Sequence, residues 1–157
     1  MSSFERRYFF LALAALAGCG FTPVYGPGSG AAELRNAVQV GTPDSSNAFL
    51  LVRELELRLG APKEVLYTLA VDVDLDETGG IITTSQDVER FTLDGTASYT
   101  LATAEGTTVA RGSAQGFTGY SASGTPIATR AARDDAQERL MVILADQIVT
   151  RLAAEVS

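Results

Sequence analysis

The chain has no histidine, no tryptophan, one cysteine and, in Lys63, one lysine among its 157 residues. Each shortage removes a class of chemistry. Without histidine there is no side chain whose ordinary pKa makes it a general base near neutral pH, and no imidazole to ligate a metal. A single cysteine forms no internal disulfide, so the fold must rely on its apolar core. With one lysine there is no Ser-x-x-Lys pair, and no Gly-x-Ser-x-Gly elbow occurs either. A net charge of −7 argues against nucleic acid as a partner, because neutralising phosphates takes clustered Lys and Arg. Long apolar runs are missing too. The run Tyr8 to Ala17 covers ten residues, whereas a membrane-spanning helix needs about twenty.

The carboxylates that are present do not compensate. Asp72, Asp74, Asp76 and Glu77 resemble the start of a calcium loop, but such a loop needs glycine at its sixth position, where this chain has Glu77, and a bidentate Glu at its twelfth. Val73 and Leu75 continue an apolar alternation through the same stretch, which reads as a strand with no metal site. Asp134 and Asp135 are adjacent on a helical pattern, diverge by about 100°, and read as solvated helix surface rather than a shared site. No enzyme is expected.

The one cysteine sits in Leu16-Ala17-Gly18-Cys19, after the basic pair Arg6-Arg7 and the short apolar run. This is the order of an export signal. The four residues resemble the bacterial lipobox, in which the thiol takes a diacylglyceryl group, the leader is cut before the cysteine, and the new amine is acylated. Residues 1–18 are therefore expected to be a lipoprotein signal peptide, and Cys19 the lipid attachment site and first residue of the mature chain. Cleavage removes Glu5, Arg6 and Arg7 and leaves the mature protein one charge more acidic. Each buried methylene of an acyl chain contributes about 0.8 kcal/mol, so two or more chains hold firmly where one does not.

Residues 19–32, rich in Gly and Pro, predict a lipidated N-terminus and flexible tether, and residues 33–157 a single domain. Leu34, Val38 and Val40 suggest a short first strand ending near Gly41. Ala48, Leu51, Val52, Leu55 and Leu59 are spaced as a helix over Asn47 to Leu59, with Ser45, Ser46 or Asn47 to cap it and Gly60 just beyond. Glu54 and Arg58 stand four apart on it. Tyr67 to Asp76 alternates with one apolar and one polar face, and so does the stretch from Phe91 to Leu101. Glu105-Gly106 turns the chain into a partner strand over Val109 to Tyr120. Gly112, Gly116 and Gly119, with Ala110 and Ala114, leave that strand a low profile. Either it packs close beneath a helix, or another backbone or a lipid approaches it. Thr125-Pro126 then opens a helix to about Ala154. Its core band is Ala136, Leu140, Leu144, Ile148 and Leu152, widened by Met141, Ile143 and Val149. The fold class is α+β with order β-α-β-β-β-α. Two helices cover one face of a mostly antiparallel sheet of about four strands, a two-layer sandwich.

Two blocks carry a resemblance beyond the lipobox. "GCGFTPVYG" at Gly18–Gly26 is similar to the mature start of LPS-assembly lipoproteins of the LptE family, alphaproteobacterial members in particular. The terminal block matches that family through Arg133, Asp134, Ala136, Arg139, Leu140, Leu144-Ala-Asp-Gln-Ile148 and Arg151-Leu152. The resemblance implies an outer-membrane lipoprotein that plugs the LptD β-barrel, helps it assemble, and assists delivery of lipopolysaccharide (LPS) to the outer leaflet. It implies no cofactor apart from the covalent diacylglycerol and N-acyl groups on Cys19. Gly20 rather than Asp after the cysteine agrees with release to the outer membrane. LPS is anionic, and Arg90 and Arg111 are the candidate contacts for it, although a turn at Glu105-Gly106 would hold them well apart. The alternative is an auxiliary ligand-binding lipoprotein subunit of an ABC-type envelope transporter.

Overall fold

A computed structural model describes residues 30–79, 89–122 and 125–156. The lipobox, Cys19 and tether residues 20–29 lie outside the described residues. The elements run α1 (Gly30–Leu34), β1 (Val38–Val40), α2 (Ser46–Leu59), β2 (Tyr67–Thr78), β3 (Glu89–Thr103), β4 (Thr108–Ala122) and α3 (Pro126–Glu155). The sheet has the order β1-β2-β3-β4, with β1 parallel to β2 and the other pairs antiparallel. The expected α+β sandwich is therefore present, with α1 in addition. Gly30-Ala-Ala, expected as tether, and Leu34, expected in the first strand, both belong to α1. Burial explains the difference, since Ala31 and Leu34 are covered and α1 packs against α3.

Period-two patterning makes the sheet one-sided. Leu69, Leu93, Ala97, Tyr99, Leu101, Ala110 and Ala114 are buried on its inner face. Thr68, Asp72, Asp74, Asp76, Asp94 and Ser98 are exposed on the outer one. Ends form where the local chemistry provides them. Ser45 caps α2, accepting from the Ala48 N–H at 3.1 Å, and Thr125 caps α3, accepting from the Ala128 N–H at 3.3 Å, with Pro126 in the first turn. Gly60 closes α2 with φ 77°, a backbone state that costs glycine little, and a side chain there would collide with Asn36 Oδ1.

The helix α3 crosses the β3–β4 hairpin with Ala136, Leu140, Met141, Leu144, Ile148 and Leu152 fully buried. Ile143, expected in that band, lies at its exposed margin, close to Gly116. Gly95 and Gly116 are paired across the hairpin, and Leu140 fills the space above both. A Cβ on Gly95 would stand 2.9 Å from Leu140 Cδ2 and 3.0 Å from Leu75 Cδ2. A Cβ on Gly112 would meet the Tyr99 side chain and one on Gly119 the Phe91 carbonyl, so on β4 close packing beneath the helix is the role of Gly116. Overpacking this contact should be costly, so Gly95→Val is expected to lower stability by about 1–3 kcal/mol. Urea unfolding of the purified protein checks this, with Ile127→Ala at an exposed site staying within about 0.5 kcal/mol of the parent.

Candidate functional site

The outer sheet face is left uncovered by the helices. Its composition follows from the alternation: β2 contributes Thr68, Asp72, Asp74 and Asp76, β3 contributes Arg90, Thr92, Asp94, Thr96 and Ser98, and β4 contributes Arg111, Ser113, Gln115 and Phe117. Asp76 stands directly opposite Asp94, and Phe117 opposite Asp94 on the other side. Like charges across a ladder are mildly destabilising, so this row is not there for fold stability. Phe117 is 71% exposed among these polar neighbours.

Asp72, Asp74 and Asp76 lie along one extended strand, each about 7 Å from the next, and cannot wrap an ion. Among the described residues no group of three His, Cys, Asp or Glu could hold a metal. Asp135 pairs with Arg139 one turn on, and the adjacent Asp134 is exposed. Neither forms part of a cleft.

Arg90 pairs with Ser121 and Arg111 with Thr100, so both are exposed on the outer face but ten residues apart along β3. That is about 33 Å. They cannot converge on one phosphate, and Asp94 lies on the same face between them. Cys19 falls outside the described residues.

Sequence reasoning missed how much of the polar flank of α3 is committed to the sheet. Along the free edge of β4, Gln147 Nε2 donates to the Gln115 carbonyl at 2.8 Å, Arg139 Nη2 to the Gly119 carbonyl at 3.3 Å, and Arg151 to the Ser113 carbonyl. Thr118 Oγ1 donates in the other direction, to the Ala136 carbonyl at 2.9 Å. Arg58 of α2, paired with Glu54 at 2.9 Å, reaches Asp146 at 2.6 Å and ties the two helices together. The available signal was spacing: Arg139, Gln147 and Arg151 are multiples of four apart, on one flank of the apolar stripe.

At the far end of the sandwich Glu77 joins three elements. It accepts from Arg133 Nε at 2.6 Å and from the Tyr120 hydroxyl at 3.0 Å, while Tyr120 stacks on Phe91 with ring centres 5.2 Å apart. Arg133, and secondarily the Tyr120 hydroxyl, hold the Glu77 carboxyl below its ordinary value against an opposing effect of burial.

A one-sided sheet under helices, one of which binds its frame through Arg133, Arg139, Gln147 and Arg151, defines a small α+β domain with one polar face uncovered. No described helix is long and apolar enough to cross a membrane. The chain belongs to the LptE lipopolysaccharide-assembly family, whose profile matches residues 33–152. This is an envelope lipoprotein family that serves LPS assembly without a cofactor. No sequence among curated proteins matches the chain. Solved structures share the fold. A protein described as a lipoprotein from Caulobacter crescentus CB15 is 22% identical, with a TM-score of 0.68 over 81% of this chain and 96% of its own. Rare lipoprotein B from Shewanella oneidensis is 12% identical, with a TM-score of 0.55 over 75% and 92%. A minor lipoprotein from Acinetobacter baumannii is 13% identical, with a TM-score of 0.52 over 74% and 88%.

The Glu77 clamp predicts the acid response. A carboxyl whose folded pKa is depressed contributes stability that is present above its unfolded value and lost as pH falls through the folded one. Stability should therefore decline as pH drops below the ordinary glutamate value of 4.5. Thermal unfolding as a function of pH should show a shallower decline for Glu77→Gln than for the parent.

Proposed function

We propose that the mature protein is an outer-membrane lipoprotein, held by acyl chains on Cys19, that seats within the lumen of an LptD-type β-barrel. There it supports assembly of the barrel and delivery of LPS to the outer leaflet, with no bond made or broken. The observation that carries this reading is the wet outer sheet face. Barrel interiors are polar and hydrated, and a plug needs an exterior that tolerates them. Thr, Ser and Asp on alternate positions of β2 and β3, joined by Ser113 and Gln115 of β4, meet that need, with the exposed Phe117 beside them.

Size agrees with such a seat. Two packed layers are about 20 Å thick, more than a small barrel encloses, and barrels of about 22 strands have lumens wide enough to be plugged. The lipid supplies attachment to the bilayer, so the domain needs no membrane-crossing segment of its own. Arg90 and Arg111 would act as two separate contacts for anionic LPS, at opposite ends of the face. Membership of an LPS-assembly family favours this account over the transporter-subunit alternative.

Affinity purification from native membranes in mild detergent is expected to bring down a large barrel protein, and recovery of the lipoprotein alone would sink the proposal. Intact mass should show acyl groups on the parent and none on Cys19→Ala, which should also leave the outer-membrane fraction. LPS capture should fall for Arg90→Asp and for Arg111→Asp. Unchanged capture would remove both residues from the site.

A further inference from the structure

Strand β2 is paired along its whole length on one side and only at its start on the other. It runs from Tyr67 to Thr78 beside β3, whereas the ladder with the short β1 covers Tyr67 to Leu69 alone. Tyr67 N–H donates to the Ala37 carbonyl at 3.1 Å and the Leu69 carbonyl accepts from Gly41 N–H at 2.8 Å, so these two residues face β1. After Gly41 the chain turns through Thr42-Pro43 into α2. By alternation Val71, Val73 and Leu75 direct their N–H and C=O groups to that same side, where among the described residues nothing pairs with them. On β4, by contrast, the carbonyls of Ser113, Gln115 and Gly119 are taken by α3 side chains.

The side chains along this edge form two rows. Toward the helices Val71, Val73 and Leu75 pack against the core yet remain partly exposed. On the outer face Asp72, Asp74 and Asp76 are exposed at every second position, and among the described residues none of them has an ion-pair partner. An open edge is a template for another strand, and the two rows define what that strand must carry. Opposite charges directly across a ladder stabilise it and like charges destabilise it. A second copy joined antiparallel through this edge, with the outer faces continuous, would set aspartate against aspartate. Residues 20–29 and 80–88 of the chain contain no Lys or Arg, so neither segment supplies the complement.

We propose that the open edge of β2, from Val71 to Leu75, takes an extended segment of a partner protein that carries Lys or Arg at alternate positions with apolar residues between them. The main chain of the segment pairs with the outward N–H and C=O groups, its basic side chains lie beside Asp72, Asp74 and Asp76, and its apolar ones extend the row of Val71, Val73 and Leu75. Backbone pairing gives affinity in this mode of recognition, and the alternate side chains give specificity. This inference goes beyond the barrel partnership proposed above and stands without it.

Amide exchange on the full-length lipoprotein in detergent tests it, with a synthetic peptide of alternating lysine and valine as the probe and one of alternating glutamate and valine as the control. The lysine peptide should slow exchange at Val71, Val73 and Leu75 by about tenfold or more, and the glutamate peptide should leave it unchanged. Combining Asp72→Lys, Asp74→Lys and Asp76→Lys should reverse that preference. Val73→Pro removes one outward donor at an edge position where proline is tolerated. It should weaken binding of the lysine peptide by about tenfold with an unchanged circular dichroism spectrum; if this variant unfolds, the charge reversal decides alone. A lysine peptide that binds while all three amides exchange at their free rate overturns the inference, since it then lies on the acidic face without joining the sheet. Equal protection by both peptides, or binding of neither, also overturns it. So does protection that grows with the concentration of the protein alone, which assigns the edge to a second copy.

Discussion

Everything else in this domain follows from the need to cover one face of a long hairpin with a single helix. Strands β3 and β4 are 15 residues each, about 50 Å of extended chain. Helix α3 has 30 residues, about 45 Å. The lengths match, and the buried stripe of the helix, Ala136 to Ala153, runs over the inner face for about 26 Å. Contact is close because Gly95 and Gly116 withdraw their side of it beneath Leu140. Once that face is closed, the remaining face can be as polar as the surroundings require, since it has no part in the core.

The same helix also limits what the sheet can do at its sides. Its flanking polar residues bind the β4 edge, its Asp146 holds Arg58 of α2, and its Arg133 secures the far end through Glu77. Many of the positions through which the C-terminal block resembles its family are in this set: Arg133, Arg139, Asp146, Gln147 and Arg151. They act on the frame of the domain, so the family's terminal signature reads as a recipe for sealing a sheet with a helix.

The architecture was legible in the sequence because period two and period four are strong signals when they last. Tyr67 to Asp76 and Ala136 to Leu152 each sustain one period over several repeats, and Ser45, Gly60, Thr125 and Pro126 mark helix ends by chemistry that acts locally. α1 was not legible. Five residues give no periodicity to read, and its glycine and alanines match a tether as well as a helix; burial against α3 decides, and burial is a tertiary fact. Ile143 was assigned to the core because it neighbours the stripe, but the close approach at Gly116 leaves it at the margin. The site was legible only as composition. The turn at Glu105-Gly106 already sets Arg90 and Arg111 well apart, as the pairing register bears out, whereas the clamp at Glu77 joins residues 43 and 56 positions apart that no local pattern connects.

The side chains that α3 lays along β4 also bear on how one copy of the domain meets another. A sheet with two open edges can be a link in a growing chain, taking one neighbour on each side and passing order along a fibre. Here Arg139, Gln147 and Arg151 of α3 take the carbonyls of Gly119, Gln115 and Ser113 along β4, acceptors that an incoming strand would otherwise use. A second sheet that met β4 would find part of its ladder already closed, which lowers what strand-to-strand polymerisation could gain.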